Sequence, residues 1–89
     1  MKTIYKYTHP VVDFFEIKAP RNAELIKVGC DTQWPTDLAF WFIIETDEIE
    51  ETFSRGFYVV GTGREIPKMA GPYIDSVHMG RCIWHVFGR

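Results

Sequence analysis

The chain has 89 residues, 46% of them hydrophobic and 16% aromatic, with a formal net charge of −2. That apolar content excludes a disordered chain. The sequence pI of about 5.9 shows no basic surplus, so a general binder of duplex nucleic acid is excluded as well. One domain over residues 1–89 is expected, with a core filled largely by aromatic rings, each able to bury about 150–250 Å².

Met1-Lys2-Thr3-Ile4-Tyr5 lacks the apolar core of a signal peptide. The longest apolar run, Leu38 to Ile44, is far shorter than a membrane span. The expected setting is the cytoplasm, without a membrane partner. Cys30 and Cys82 are then expected as reduced thiols, packed among the apolar residues that alternate around them.

In chain order, Thr3 to Tyr7 reads as a short strand ended by Thr8-His9-Pro10. Asp13 to Lys18 is a second strand with Phe15 and Ile17 on one face, and Pro20-Arg21-Asn22 a turn. Glu24 to Cys30 is a third, with Ile26, Val28 and Cys30 pointing one way. Asp31 to Asp37 forms a loop holding Trp34 and Pro35. Leu38 to Ile44 is apolar on both faces and is expected to be central or covered on both sides. The acidic segment Glu45 to Glu51 reads as a hairpin loop; a one-turn helix capped by Asp47, with Ile49 and Phe53 four residues apart, is the alternative. Phe53 to Val60 is a strand running into Gly61-Thr62-Gly63-Arg64, and Arg64 to Pro72 is irregular, broken by Pro67, Gly71 and Pro72.

The last segment is the clearest hairpin. Tyr73 to Met79 and Cys82 to Phe87 flank Gly80-Arg81, a Gly-X pair suited to a type II′ turn. That turn sets Met79 opposite Cys82, Val77 opposite Trp84 and Ser76 opposite His85. Val77, Met79, Cys82, Trp84 and Val86 then face the core, with Trp84 and Val86 buried. Ser76, His78, Ile83, His85 and Phe87 face solvent or a cleft. The whole pattern predicts an all-β fold: a compact antiparallel small barrel or sandwich of about six to seven short strands.

Ile4-Tyr5-Lys6-Tyr7, Ala23 to Val28, Val60-Gly61-Thr62-Gly63 and Ile83-Trp84-His85-Val86-Phe87 occur in this order over nearly the whole chain. Together they resemble a family of small proteins found mainly in tailed bacteriophages and prophages, with no assigned activity. Trp34 to Ile44 and Lys68 to Pro72 depart from its pattern. The resemblance implies an accessory protein acting in a host cytoplasm and lends no functional residue to this chain.

The residues themselves nominate several places. Glycines on either side of Thr62 could let backbone amides form an anion nest, with Arg64 adding a phosphate partner and Tyr58 beside them. The plain alternative is a turn or bulge needing positive φ at Gly61 or Gly63. The loop matches neither a dinucleotide fingerprint nor a Walker loop, because Ile66 stands where the fingerprint needs glycine and no Lys-Ser/Thr follows Gly63. His78 and His85 share a hairpin face but lack a charge partner, and Cys82 points away from them, so no metal site is expected. The acidic run Glu45, Asp47, Glu48, Glu50, Glu51 lacks a calcium-loop pattern and reads as a solvated connection.

No catalytic constellation and no cofactor motif is legible. Tyr5, Tyr7, Trp34, Phe40, Phe42, Tyr58, Tyr73 and Phe87 exceed what one face of one small core can hold. Two-sided packing and an interface including Tyr5, Tyr7, Trp34, Phe40, Phe42 and His85 are the two readings. The expected function is a non-enzymatic protein that binds a host protein or associates with itself. The alternative is a binder of a nucleotide or other small anion at Gly61 to Arg64, and a hydrolase using His78 or His85 comes third.

Overall fold

The structure is a computed structural model that describes residues 1–48 and 51–88. Seven strands follow one another: β1 (Lys2–Pro10), β2 (Phe14–Pro20), β3 (Glu24–Cys30), β4 (Asp37–Glu45), β5 (Thr52–Gly61), β6 (Tyr73–Met79) and β7 (Cys82–Gly88). They form two antiparallel sheets, ordered β1-β4-β3 and β2-β5-β7-β6. The sheets stack face to face, so the all-β expectation holds and its two forms resolve into an open sandwich, not a closed barrel.

Period-two alternation explains the packing. On β2 it buries Phe15, Ile17 and Ala19. On β4 it buries Leu38, Phe40, Phe42 and Ile44, and on β5 Phe57 and Val59. Phe40 of the first sheet meets Phe57 and Phe15 of the second at ring-centroid separations of 4.7 and 5.6 Å. These rings join the layers, and His9 stacks on Phe15 at 4.2 Å to extend them toward β1. Leu38 to Ile44 is central in its sheet, as its apolar faces required.

Phe40 and Phe42, nominated above for an interface, are fully buried. They cannot contact a partner, because their strand supplies the centre of the core. Tyr7 is half-buried and meets Phe42 edge-on at 5.4 Å, while Tyr5 and Trp34 stay exposed.

Other expectations also need correction. A register shift between Leu25 and Lys27 breaks the alternation of β3. Ile26 is therefore exposed, and Leu25 packs on the core beside Val28. The connection after Glu45 is not a hairpin loop, since β4 and β5 lie in different sheets. The helical alternative for that segment falls partly on Ile49, outside the described residues. Cys82 is exposed at the end of the last hairpin, while Cys30 is half-buried. Both thiols are free.

The final hairpin has the predicted register: Met79 opposite Cys82, Val77 opposite Trp84, Ser76 opposite His85. Gly80 has φ of 64° and Arg81 is not in the positive-φ region, as a type II′ turn requires. Val86 is buried, and Trp84 is half-buried at the rim of the core. Phe87 is not on an open face. The irregular segment after Arg64 folds across it, so Phe87, Val60 and Ala70 make a second small core on the outer side of the four-stranded sheet. This covering segment positions the candidate site.

Candidate ligand-binding site

β5 ends at Gly61, and the next residues reverse direction at once. The Arg64 N–H donates to the Gly61 carbonyl at 3.1 Å, closing a four-residue turn. Gly63, its third residue, has φ of 87°, which a type II turn reserves for glycine. Gly61 does not have positive φ. Its need for a small side chain is different: it lies opposite Trp84, and a Cβ there would stand 3.3 Å from Trp84 Cζ3. Because the Arg64 amide is bonded within the turn, what the loop presents outward is the exposed side chains of Thr62 and Arg64.

The turn stands between two clefts. The larger, of about 940 Å³, runs past the end of β5 and the β6–β7 turn. Phe14, Tyr58 and Trp84 give it aromatic walls, and Arg64 and Arg81 bring cationic groups to it. Asp13 and Glu65 line it as well. Phe14 and Tyr58 lie side by side with ring centroids 4.7 Å apart. The Phe14 ring covers the bare backbone of Gly56, where a Cβ would approach Cε1 to 2.9 Å.

The smaller cleft, of about 280 Å³, lies between the turn and the outer face of β6 and β7. Thr62, Arg64, Ile66, Tyr73, His85 and Phe87 are among its walls. A chain of hydrogen bonds crosses it. Thr62 Oγ1 is 2.8 Å from His85 Nε2. Ser76 Oγ is 2.7 Å from His85 Nδ1 and 2.7 Å from the Tyr73 hydroxyl. The hairpin register places Ser76 beside His85. The Thr62 contact, across 23 positions of sequence, had no local signal. His85 is thus half-buried in this chain instead of standing free for an interface.

The predicted ligand residues Tyr58, Gly61, Thr62 and Arg64 therefore come together, and Gly63 shapes their turn. His78 is exposed on β6 and is not a wall of either cleft. Among the described residues, no three His, Cys, Asp or Glu side chains converge to hold a metal ion. No helix of the described residues is long and apolar enough to cross a membrane.

Away from the clefts, the buried carboxylate Asp31 is held by Lys6 Nζ at 2.8 Å and by the Trp34 N–H at 3.0 Å. The Lys6 ammonium, with help from the backbone donors, keeps its pKa below the usual aspartate value. This pair pins the β3–β4 loop to β1. Arg55 reaches inward over the Phe42 ring at 5.2 Å and donates to the Ala23 carbonyl at 3.2 Å. Burial lowers its pKa from the usual arginine value.

A family model described as domain of unknown function (DUF7352) matches residues 1–89. The chain belongs to the DUF7352 family. No curated protein and no solved structure matches it. For this DUF7352 chain, the functional reading therefore rests on its own geometry.

Proposed function

We propose that the protein binds a small anionic ligand bearing a planar ring, with a nucleotide as the best-fitting class, at the turn from Gly61 to Arg64. The observation that carries this is the position of the turn: Thr62 and Arg64 wall both clefts, and the larger one adds Arg81 and the rings of Phe14, Tyr58 and Trp84. Guanidinium and hydroxyl groups suit phosphate oxygens, and half-exposed rings suit a base. No catalytic step is needed for this role. In an accessory protein of the phage type, acting in a host cytoplasm, such a site would sequester a nucleotide signal.

A thermal-shift and calorimetry screen with mono-, di- and cyclic nucleotides tests the proposal. A ligand at about 100 times its Kd stabilises the native state by about 2.7 kcal/mol. A nucleotide that raises the melting temperature, and does so less in Arg64→Ala, supports the site. No shift with any nucleotide removes it.

A second reading, binding of a protein partner, is favoured by one observation. β1 is an edge strand of nine residues, with Ile4 56% and Tyr5 47% exposed. With Phe40 and Phe42 inside the core, an interface would centre on this edge. Retention of a host protein by the native chain, lost in Tyr5→Lys, would support it.

A further inference from the structure

We infer that the smaller cleft is the phosphate end of this site, and that it takes the phosphate together with one proton from solvent, which His85 holds. The inference rests on the anion-binding reading above and adds how the anion is recognised.

The chain Thr62–His85–Ser76–Tyr73 has a fixed number of hydrogens to share. A neutral imidazole has one nitrogen that donates and one that accepts. Both nitrogens of His85 are within hydrogen-bond distance of a hydroxyl, so one hydroxyl must give its hydrogen to the ring. If Thr62 donates to Nε2, the Nδ1–H donates to Ser76, Ser76 donates to the Tyr73 oxygen, and the Tyr73 O–H is free for the cleft. The Thr62 hydrogen is then unavailable. If instead Ser76 donates to Nδ1, Tyr73 donates to Ser76 and the Nε2–H donates to Thr62. Thr62 is then free and the Tyr73 hydrogen is unavailable. Either tautomer leaves one of the two cleft hydroxyls without a hydrogen to offer.

Protonation of His85 removes that restriction. Both ring N–H groups donate, to Thr62 and to Ser76, and Ser76 passes its hydrogen to the Tyr73 oxygen. Thr62 and Tyr73 can then both donate into the cleft that they line with Arg64. The proton adds one donor and one positive charge at a place where an anion needs both. Ligand and proton therefore bind with positive coupling, and each raises the affinity for the other.

The surroundings of His85 allow this. Arg64 is the charged side chain sharing the cleft. β5 presents Val60 there, and β7 presents Phe87. Asp75 and His78 flank Ser76 on β6. Asp75 Oδ1 accepts from the Ser76 N–H at 2.8 Å, and His78 is exposed opposite Ile83.

The test is an NMR titration of the three histidines in sodium sulfate against sodium chloride of equal ionic strength. Sulfate keeps its charge across the range, so any change belongs to the protein. The titration midpoint of His85 should rise in sulfate by about one pH unit, which is tenfold coupling. His9 and His78 should stay in place. Thr62→Val and Tyr73→Phe should each reduce the rise, and Thr62→Ser should restore it. Affinity for a cyclic nucleotide, whose phosphodiester keeps its charge across the range, should weaken by the same factor, about tenfold in all, as pH rises from below the free midpoint to above the bound one, and should lose its pH dependence in His85→Gln.

An unmoved His85 midpoint, or nucleotide binding equally tight at all pH values, overturns the inference while leaving the ligand site intact. A sulfate-dependent midpoint in a chain that binds no nucleotide supports the anion cleft and removes the nucleotide reading. Absence of both effects removes the two together.

Discussion

Gly61 lies directly opposite Trp84, close enough that any side chain at position 61 would press on the indole. Trp84 is half-buried and can yield a few tenths of an ångström. Gly61→Ala should therefore change stability by less than about 1 kcal/mol. Gly63→Ala has open space but must hold φ near 87°, and should lose about 1–2 kcal/mol. Gly88→Ala meets the Gly56 carbonyl oxygen and the Phe57 ring at 2.8 Å, so it should lose the most, about 3 kcal/mol. Urea unfolding of the variants checks the order; Gly61→Ala as the worst of the three would contradict it.

Phe40 should be the costliest single truncation in the core. It is fully buried and joins Phe15 and Phe57 across the sheets. Phe40→Ala should lose about 3–5 kcal/mol, a large part of the total stability of so small a protein. Trp84→Ala should lose less, because part of that ring is already in water. Equilibrium denaturation decides which of the two is larger.

Arg64→Ala should leave the melting temperature of the free protein within about 2 °C, since the side chain is exposed on the turn. The same change should weaken nucleotide binding about tenfold or more, as loss of a charge-assisted contact does. Calorimetry on the native and variant chains separates the two effects.

Asp31 should shape the acid limb of stability. Its folded pKa lies below the ordinary value of 3.8. The contribution is therefore fully present above that value and is lost as pH falls through the lower, folded one. Asp31→Asn should destabilise the protein at neutral pH and flatten the melting-temperature profile in acid. Parallel acid limbs for the two proteins would rule this out.

Thiol labelling should distinguish the cysteines by access. Cys82 is exposed, whereas Cys30 is half-buried with its Sγ 3.3 Å from the Pro35 carbonyl oxygen. A maleimide should modify Cys82 first in the native state and reach both only on unfolding. Peptide mapping at an early time point checks the order.

The sequence was most readable where a structural decision was local. Gly80-Arg81 set the turn, the turn set the register, and the register placed Ser76 beside His85. Alternation marked Phe15 and Ile17 for the core, and the two apolar faces of Leu38 to Ile44 marked that strand as central. It failed at Ile26, because a bulge changes the face without changing residue type. Nor does alternation tell which sheet a strand joins: Phe40 and Phe42 exceed what one face holds, and they are buried because a second sheet closes over them. The turn at Gly61 to Arg64 was legible from its glycines. The contact between Thr62 and His85 was not, since it depends on how a loop returns across a sheet.

The switching of the chain between sheets also governs the order of assembly. Among the described strands, sequence neighbours pair at β3–β4 and β6–β7, whereas β1 waits for β4 and β2 for β5. Lys2 finds its partner only at Glu45, and Phe14 at Tyr58. Loop-closure entropy must be overcome before those ladders contribute, which places folding in the millisecond-to-second range. On a ribosome β1 would remain unpaired until the residues up to Glu45 had followed it out, at about 5–20 residues per second. The two local hairpins are the natural first structures. Stopped-flow refolding should find that Val77→Ala, within one of them, slows folding more for the stability it removes than Ile17→Ala in β2. Equal or reversed fractions would place the nucleus in the long-range ladders instead.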